Sequence, residues 1–559
     1  MRKKRILFCS EATFLNTGYA TYTREVMEYL HSTGKYELAE LAAYGQRNDP
    51  RGLSLPWRYY GVQPNKEFQP LATREELQSY ESSPFNQFGE FIFEDVCLDF
   101  KPDIVFDIRD FWMLEFVERS PFRKMFKWVI MPTVDAAPQA RQWISTYASA
   151  DAVFSYSEWS GEVLKEQSGG KINYVGTAPP SANPAYRPLN KRDCRLALGI
   201  DPELNIVGTV MRNQRRKLYP DLFEAWASFL QLQPDPSNYK LYCHTGYPDL
   251  GWEIPELLQQ FSVSSSVLFT YICPDTKQTF ARPFSGAICE SPFTGKYSAR
   301  MSNVRDGATY EQLSEIMNTF DLYVQYANSE GFGLPQVEAA ACGIPVASID
   351  YSAMSSVVKN LGGMRLRPKA LYKELETGCY RAVPNNEDTA LAFNQFFTKG
   401  SEHVDKFRRE MCESALSGFK EHYQWNITGE RLAAVFDSFE IEPIEKTWAS
   451  EPRIKAPKSK PDRIPDHTTH KQLAQWLIVD VLGEPERLNT QFESRLIRDL
   501  MNESRGSTTS KTYENESSAS FDGRVLRTPF NFEIAYREMI KMAEKRNYWE
   551  RKRSQMTFS

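Results

Sequence analysis

The feature that most constrains the fold is a strand-like run followed by a glycine-rich turn and a helix-like run. The segment 322–346 reads LYVQYANSEGFGLPQVEAAACGIPV. Gly331 and Gly333 allow a sharp turn and a close approach of the backbone to a ligand. Pro335 suits the first turn of a helix, where its missing N–H is no loss. The pattern predicts a βα corner whose helix begins with free N–H groups and a partial positive charge.

Two carboxylates flank this corner. Glu330 lies at the end of the predicted strand, and Glu338 lies about one turn into the helix. Both side chains can face the same small polyhydroxy ligand, one from each side of the turn. The alternative is an ordinary corner with two solvated glutamates, which the spacing alone would not exclude. The Gly-Phe-Gly-Leu-Pro sequence between the two acids favours the ligand site.

The same residues carry a family resemblance. Glu-Gly-Phe-Gly-Leu-Pro-x-x-Glu, followed by Ala-x-x-Cys-Gly-x-Pro-Val, resembles the E-x7-E signature of retaining glycosyltransferases of the family 4 type. The resemblance covers roughly residues 1–440, and its strong motifs lie in the second half of that range. It implies an α/β protein with the GT-B fold, in which two Rossmann-like domains face a central cleft. It also implies a retaining hexosyl- or pentosyltransferase.

Apolar runs of strand length alternate with helical segments along most of the chain, which indicates parallel βαβ units. The strand-like runs are 6–9, 104–106, 128–131, 152–155, 205–210, 240–243, 267–271, 322–325 and 345–348. We predict an N-terminal acceptor domain at 1–185, a donor domain at 186–414 and a helix at 415–444 that crosses back to the first domain. Residues 445–559 should form an extended linker and a mostly helical, partly disordered extension. Residues 45–90 look like an irregular insertion.

Composition limits the class of protein and the cellular compartment that we expect. The chain has 559 residues, 41% of them hydrophobic, and a formal net charge of −5, which does not suggest a protein that coats nucleic acid. Nine scattered cysteines favour free thiols in a reducing compartment. The basic N-terminus lacks the apolar run of a signal peptide, and no segment is apolar for the roughly 18–20 residues that span a bilayer. We therefore expect a cytoplasmic protein, or a host-cytoplasmic one if it is encoded by a phage.

A basic loop follows the first strand of the second domain. Arg212 and Lys217 are five residues apart, the spacing at which family 4 transferases carry an Arg and a Lys. The resemblance implies that this pair stabilises the diphosphate of the donor, whose charge grows as the glycosidic bond breaks. Arg215 and Arg216 add positive charge and are candidates for the acceptor. A solvated basic loop is the alternative.

Two further candidates lie in the first domain. Gly18, in Asn16-Thr17-Gly18-Tyr19, resembles the glycine loop that lies against the donor phosphate in GT-B proteins, although a plain βα turn fits equally well. It is not the G-x-G-x-x-G of a dinucleotide site. Asp135 lies just after the end of the predicted strand 128–131. Many relatives carry an acid or a histidine at this place that contacts the donor sugar. Asp110 is the second candidate for that role, and each acid could instead be a cap or a surface residue.

Three features are more simply structural. His244 at a strand end is best interpreted as a hydrogen-bonded structural histidine that can touch the nucleotide, and Trp252 as a core or rim residue. Cys273 and Cys289 occupy the first positions of two C-x-x-C-like knuckles, but positions 276 and 292 are Thr and Pro. A structural zinc site needs four ligands. The segment therefore looks like the remnant of a zinc ribbon, and we expect no zinc.

The resemblance implies a complete donor site. Glu338 accepts hydrogen bonds from the ribose hydroxyls, while Glu330 and the amides of Gly331, Phe332, Gly333 and Leu334 hold the sugar. The donor substrate is a nucleotide-diphosphate sugar, and the leaving phosphate takes the proton of the acceptor. No cofactor and no metal ion are expected, because the basic pair supplies the positive charge.

The sequence leaves the acceptor open. It is a hydroxyl either on a glycan, lipid or small molecule, or on hydroxymethylated cytosine in double-stranded DNA, since the chain looks similar to phage-encoded transferases. A basic helical tail would suit phosphate contact; its residues are Lys541, Lys545, Arg546, Arg551, Lys552 and Arg553. A solvated helix end is the favoured interpretation of that tail. The rival functions are a GT-B nucleotide-sugar epimerase and an inactive glycosyltransferase-like scaffold.

Overall fold

The computed structural model describes residues 2–302, 307–398, 402–465, 467–502 and 530–556. The first part of the chain forms a sheet of seven parallel strands in the order β3-β2-β1-β4-β5-β6-β7. These strands are β1 Lys4–Glu11, β2 Tyr36–Gln46, β3 Arg58–Gln63, β4 Ile104–Asp107, β5 Lys127–Ile130, β6 Ala152–Ser155 and β7 Tyr174–Thr177. The strand order changes direction at β1, which places a crevice at the carboxyl ends of β1 and β4.

The second sheet repeats this arrangement. Its parallel part has the order β10-β9-β8-β14-β15-β16, and the antiparallel strands β11, β12 and β13 extend it beside β10. A separate hairpin is formed by β17 and β18. The strands are β8 Asn205–Val210, β9 Tyr239–His244, β10 Val267–Ile272, β11 Thr279–Pro283, β12 Ile288–Glu290, β13 Tyr297–Met301, β14 Leu322–Gln325, β15 Val346–Ile349, β16 Met364–Leu366, β17 Ala370–Lys373 and β18 Tyr380–Val383.

Helices cover both sheets. Those up to the end of the second sheet are α1 Gly18–Ser32, α2 Pro50–Leu53, α3 Arg74–Glu81, α4 Phe93–Phe100, α5 Phe111–Arg119, α6 Arg141–Tyr147, α7 Glu158–Ser168, α8 Lys191–Ala197, α9 Tyr219–Gln231, α10 Ile254–Gln260, α11 Tyr310–Met317, α12 Leu334–Ala341, α13 Ala353–Asn360 and α14 Asn386–Phe397. Short 3₁₀ turns occur at Pro84–Phe88 and Pro236–Asn238. Side chains cap several helices; for example, Thr17 accepts a hydrogen bond from the amide of Ala20 and begins α1.

The remaining helices lie beyond the second sheet. They are α15 Glu402–His422, α16 Trp425–Ser438, α17 Ile444–Trp448, α18 His470–Trp476, α19 Gln491–Asn502 and α20 Phe530–Ser554, with a π-helical turn at Leu477–Leu482 and a 3₁₀ turn at Pro485–Arg487. Lys4 of β1 donates hydrogen bonds to the carbonyls of Phe436, Asp437 and Phe439, so α16 ends against the first sheet. The Ser/Thr-rich stretch 506–520, which falls in the part predicted to be disordered, lies outside the described residues.

Every strand-like run of the sequence analysis lies at a strand, whereas nine strands of the described residues were not predicted, namely β2, β3, β7, β11, β12, β13, β16, β17 and β18. β2 was not predicted, and β3 falls in the stretch 45–90 that was predicted to be an irregular insertion. The prediction of an extended linker at the start of residues 445–559 also holds only in part. It begins as α17, and Trp448 is buried in the core of the first sheet together with Trp549 of α20. A single aromatic residue in a Pro- and Lys-rich stretch gives little periodic signal.

The ribbon β11–β13 contains the proposed zinc-ribbon remnant. Two similar turns occur there, with the Lys277 amide donating to the Cys273 carbonyl at 2.8 Å and the Gly295 amide to the Ser291 carbonyl at 2.9 Å. Ser291, rather than Cys289, therefore occupies the position equivalent to Cys273, and the register predicted for the second knuckle is wrong. All nine cysteines lie within the described residues and are free. Within the described ranges, no helix has the length and apolar character that crossing a membrane requires.

Candidate functional site

The βα corner predicted from the sequence joins β14 to α12. Gly333 has a φ of +84°, a left-handed conformation that glycine adopts without strain. A Cβ atom at Gly331 would lie 2.5 Å from Cγ2 of Thr133, which follows β5 of the first domain. Glycine is therefore needed at 333 by the backbone conformation and at 331 by the close approach of the first domain. The corner lies at the interface of the two domains.

The start of α12 leaves main-chain donors available. Among the described residues, none accepts a hydrogen bond from the amides of 331–334. Phe332 is buried and its ring packs edge-on against Tyr423, and Leu334 packs against the same core. The side chains of these two residues are therefore structural, and only their backbone can serve a ligand. Free amides at a helix start are able to bind an anion.

Glu330 is the centre of a buried charge cluster. Lys217 Nζ is in direct contact with Glu330 Oε1, and Arg216 Nε lies 3.6 Å from Oε2. The Gln325 side-chain amide donates to Oε1 at 2.9 Å, and the Glu330 amide donates to Ser352 Oγ at 3.0 Å. The Glu330 and Lys217 side chains are only 7% and 10% exposed. Acid and base are held together here at the end of β14.

Burial shapes the protonation of the two cations in this cluster. Burial and the neighbouring Arg216 lower the pKa of Lys217, whereas contact with the Glu330 carboxylate favours its charged form. Burial also lowers the pKa of Arg216, and the field of Asp135 opposes that shift. Arg216 therefore faces acids of both domains. A bound anion would relieve the crowding of positive charge in this cluster.

Glu338 lies apart from that cluster. Its carboxyl group is buried and hydrogen-bonded by the Tyr186 hydroxyl, and burial raises its pKa to about 7. It also acts electrostatically on Tyr323 of β14. The structure thus places the two glutamates of the motif on the same corner but gives them separate partners.

Arg212 lies at a cavity next to the corner. Its guanidinium forms two hydrogen bonds to Asp249, at 2.8 and 3.0 Å. The cavity has a volume of about 500 Å³, and His244 and Pro335 also contribute to its wall. Arg212 and Lys217, which the sequence analysis paired, therefore lie in different groups. Pro335, in the first turn of α12, forms part of the cavity wall together with Arg212, so the cavity reaches the start of that helix.

His244 and Trp252 have structural partners. His244 Nδ1 lies 2.9 Å from Thr270 Oγ1, and burial lowers the histidine pKa to about 4, so the ring is neutral near pH 7. The Trp252 indole donates to the Lys217 carbonyl at 2.7 Å, and this contact fixes the basic loop. His244 can still contact a ligand in the cavity, as the sequence analysis allowed.

On the first-domain side, Asp135 makes a contact across the cleft. Arg381 Nη1 of β18 donates to Asp135 Oδ2 at 2.7 Å and to Ser329 Oγ at 2.5 Å. Because Ser329 precedes Glu330, Arg381 joins Asp135 to the corner. Asp135 is therefore brought to the candidate site, although its nearest basic partner was not predicted.

Asp110 and Gly18 lie on the same side of the cleft. The Tyr19 hydroxyl donates to Asp110 Oδ1 at 2.8 Å and lies 2.5 Å from Thr133 Oγ1. Thr133 is also the residue that meets Gly331. Burial raises the pKa of Asp110, and hydrogen bonds from Tyr19 and Thr133 lower it. Gly18 begins α1, and a Cβ atom at this position would meet nothing within 4 Å. The fold therefore does not require glycine at position 18, and only a close ligand would.

Sequence reasoning missed Arg381, Asp249 and Gln325. Gln325 carried a signal, because a polar residue at the end of the apolar run 322–325 needs a partner. Asp249 and Arg381 carried none, since each acts on a residue far away along the chain.

The basic end of α20 is not the solvated surface that we predicted. Arg546 and Arg553 are buried, and Lys545 and Lys552 form ion pairs with Glu94 and Asp95 of α4. The helix end docks on the first domain, and only part of its charge is exposed. Sequence periodicity could not reveal this, because the partners are about 450 residues away.

Comparison with known proteins agrees with this architecture. The family model described as Glycosyl transferases group 1 matches residues 304–409, which include the corner. Sucrose synthase 2 of Hordeum vulgare is 28% identical over 136 residues, which are 24% of this chain and 14% of that protein. D-inositol 3-phosphate glycosyltransferase of Rhodococcus jostii is 23% identical over 312 residues, 56% of this chain and 57% of that protein. The chain thus matches less than two thirds of the length of either relative.

Solved structures show the same fold. Sucrose-phosphate synthase from Thermosynechococcus elongatus superposes with a TM-score of 0.54 at 17% identity, covering 78% of this chain and 98% of that one. Anabaena HepE in complex with UDP and glucose superposes with a TM-score of 0.53 at 14% identity, covering 78% and 100%. The predicted fold class is confirmed: the chain has the GT-B fold, with two Rossmann-like domains and a helical C-terminal region.

Proposed function

We propose that this protein is a retaining glycosyltransferase that moves a sugar from a nucleotide-diphosphate sugar to a hydroxyl acceptor. The observation that carries the proposal is the cluster of Glu330, Lys217 and Arg216 at a glycine-bent corner between two Rossmann-like domains. The matched family model, the glycosyltransferase relatives and a structural neighbour solved with UDP and glucose support it.

The proposed donor site follows from the charges. The nucleoside occupies the cavity beside Arg212 and His244, and its diphosphate lies between Arg212 and the start of α12. Lys217 and Arg216 then face the phosphate that leaves. Preorganised cations and amides that meet the charge developing on a leaving group lower the barrier without reorganising during the reaction.

Glu330 and Asp135 belong to the sugar end of this site. Glu330 keeps Lys217 in place and accepts hydrogen bonds from sugar hydroxyls, while the amides of 331–334 at the start of α12 donate to sugar and phosphate oxygens. Asp135 approaches the sugar from the first domain, and Glu338 serves the ribose once Tyr186 yields its hydrogen bond. A carboxyl group with a pKa of about 7 can either accept from or donate to a ribose hydroxyl.

The proposed transfer needs no strong general base. The bond between the anomeric carbon and the β-phosphate oxygen breaks, and the acceptor oxygen bonds to the same face of that carbon. The acceptor proton passes to the leaving phosphate. We propose no cofactor and no metal ion, because Lys217, Arg212 and Arg216 supply the positive charge; full activity in excess EDTA would agree with this.

For the acceptor we favour a hydroxyl on a glycan or small molecule. The alternative, hydroxymethylated cytosine in double-stranded DNA, drew on the resemblance to phage-encoded transferases and on the basic tail. Four of the six cations of that tail contact the chain itself. Binding to duplex DNA that falls steeply with salt would support the DNA acceptor. Absent or salt-insensitive binding would remove it.

A nucleotide-release assay tests the donor site. The protein is incubated with UDP-, GDP-, ADP- and dTDP-hexoses and pentoses, and free nucleoside diphosphate is measured. We expect release from one donor class, loss of release in Glu330→Ala, and weaker release at donor concentrations below KM in Arg212→Ala. Glu203→Ala, a substitution in an exposed ion pair with Arg192, is the matched control. Wild-type release rates in both site variants would contradict the assignment.

The products separate the rival functions. An epimerase converts the donor without an acceptor and forms no glycosylated product. An inactive scaffold binds the donor without turnover. Proton NMR of the product distinguishes retention from inversion through the anomeric coupling constant. An inverted product would refute the retaining mechanism and leave the donor site intact.

A further inference from the structure

We infer that Arg381, on the hairpin β17–β18, is a positioning residue that fixes Asp135 at the donor sugar by tying the two domains together across the cleft. This inference rests on the proposed function and adds to it a residue outside the motif. It also assigns a role to the hairpin, which stands apart from both sheets.

The guanidinium of Arg381 binds two acids and one hydroxyl. Nη1 donates to Asp135 Oδ2 and to Ser329 Oγ, while Nε and Nη2 donate to Glu374 Oε2 at 3.1 and 2.9 Å. The Arg381 side chain is 9% exposed. Glu374 follows β17, so it fixes the guanidinium from within the hairpin. The planar fork of an arginine can hold these partners at once, whereas a lysine ammonium cannot.

The hairpin makes other contacts with the same loop of the first domain. The Tyr380 amide donates to the Ala137 carbonyl at 2.7 Å, and the Cys379 thiol lies 3.1 Å from the Pro138 carbonyl. The Tyr351 hydroxyl donates to the Tyr380 carbonyl at 2.7 Å and fixes the hairpin on its own domain. The loop that carries Asp135 is thus held at two points by β18.

This arrangement leaves one side of Asp135 open. Arg381 occupies Oδ2, and among the described residues no donor is bound to Oδ1. The side chain is 36% exposed, and its field acts on Arg216, which itself lies 3.6 Å from Glu330. Asp135 is therefore oriented toward the charge cluster with one acceptor atom available for a sugar hydroxyl. Within the part of the chain that the structure describes, Arg381 donates the one hydrogen bond that holds the Asp135 carboxylate.

The test uses the full chain with Arg381→Gln, Arg381→Lys, Asp135→Asn and the Arg381→Gln/Asp135→Asn double variant. Arg192→Gln, in an exposed pair on the second domain, is the matched control. Donor turnover gives kcat and KM, and calorimetry gives the affinity for the nucleoside diphosphate without sugar. Hydrogen exchange of the peptide containing Tyr380 reports the cross-cleft bond directly and needs no substrate.

We expect Arg381→Gln to lower kcat by about 10- to 100-fold, which is the scale of one lost charged hydrogen bond at the sugar. The affinity for the nucleoside diphosphate should change by less than about 3-fold. Arg381→Lys should recover part of kcat, and the double variant should be no slower than the slower single variant. The Tyr380 amide should exchange faster in Arg381→Gln and not in Arg192→Gln.

Two results would overturn the inference. One is a kcat for Arg381→Gln equal to wild type, or losses that simply multiply in the double variant. The other is unchanged exchange at Tyr380, which would mean that Arg381 does not tie the domains. Failure of the proposed function has a different signature, because the wild-type protein would then neither bind a nucleoside diphosphate nor release one from any donor.

Discussion

Lys217 at the cleft and Arg553 near the end of α20 are both buried cations, but they differ in how far their hydrogen-bond donors are satisfied by the protein. Arg553 is fully buried and pairs with Glu550, and its remaining donors bind the carbonyls of Trp448, Ser450 and Glu451. Lys217 Nζ has three donors, and among the described residues its only charged partner is Glu330. Arg553 is satisfied by the fold, whereas Lys217 retains capacity for a ligand.

Burial of a charge therefore does not by itself mark a ligand site. Both pairs cost desolvation, which good geometry and additional hydrogen bonds must offset. At α20 the hydrogen bonds come from the chain, so the charge attaches a helix to the first domain. At the corner, Glu330 is the one charged partner of Lys217 among the described residues, and the proposed anion would complete the offset.

The largest effect is expected at the satisfied pair. Arg553→Met removes one of the two arginines that, among the described residues, pair with the buried Glu550, the other being Arg453, together with the donors to three backbone carbonyls. This loss should reduce the free energy that holds α20 in place by about 3–5 kcal/mol. Native-state hydrogen exchange in α20 measures this loss. Arg551→Met, at an exposed neighbouring position, is the control. Donor affinity should hardly change in Arg553→Met. If α20 kept its protection from exchange in this variant, the helix end would not be attached through Arg553.

At the corner the loss should appear in turnover instead. Glu330→Gln and Lys217→Met should each lower donor turnover by about 10²- to 10³-fold, the usual effect of removing one preorganised group from a developing charge. Single-turnover measurements separate this from slow product release. Thermal melting is the companion measurement, since Lys217→Met also leaves the buried Glu330 with the more distant Arg216 as its remaining cation. A variant that melts as wild type and still turns over at the wild-type rate would contradict the role of this pair.

Arg212 should show a smaller effect, on binding. Its guanidinium is 46% exposed and already held by Asp249, so Arg212→Gln should weaken nucleoside diphosphate binding by about 10-fold, the lower range for a charged hydrogen bond. Calorimetry with the diphosphate and with the nucleoside alone tests this. The nucleoside affinity should stay near wild type; an equal loss for both ligands would show that Arg212 shapes the cavity and does not contact the phosphates.

The smallest effects concern pH. Burial raises the pKa of Glu338 to about 7 and that of Glu40, in β2 and far from the motif, to about 8, from an ordinary value of 4.5. The folded protein then binds more protons than the unfolded chain above pH 4.5, so stability is full below that pH and falls as the pH rises toward 7 and 8.

Glu338→Gln and Glu40→Gln should each flatten this decline in melting temperature over their own pH range. The two variants form a matched pair, because only Glu338 lies on α12. A change in nucleoside diphosphate affinity is expected in Glu338→Gln alone. Melting curves of either variant that still fell with pH as in the wild type would show that the carboxyl group is not protonated in the folded state.

The sequence predicted the fold and the corner because both depend on local patterns. Alternating strand and helix runs specify the βαβ units, and Gly331, Gly333 and Pro335 specify the turn. Arg381 and the docking of α20 could not be predicted, because their partners lie about 250 and 450 residues away. β2 and β3 were missed since their residues lack a clean period, as in LAAYG and RYYGV. The separation of Arg212 from Lys217 was missed because spacing along a loop does not fix where its side chains turn.

The central claim is that the corner between β14 and α12 binds an activated sugar. The most direct measurement is a crystal structure of the full chain with UDP, or with the diphosphate that the release assay selects. The claim predicts phosphate oxygens within hydrogen-bond distance of Lys217 or Arg216 and of the amides of 331–334, with the base in the cavity beside His244. A nucleotide bound at the ribbon β11–β13 or on the α20 region, with the corner empty, would contradict it.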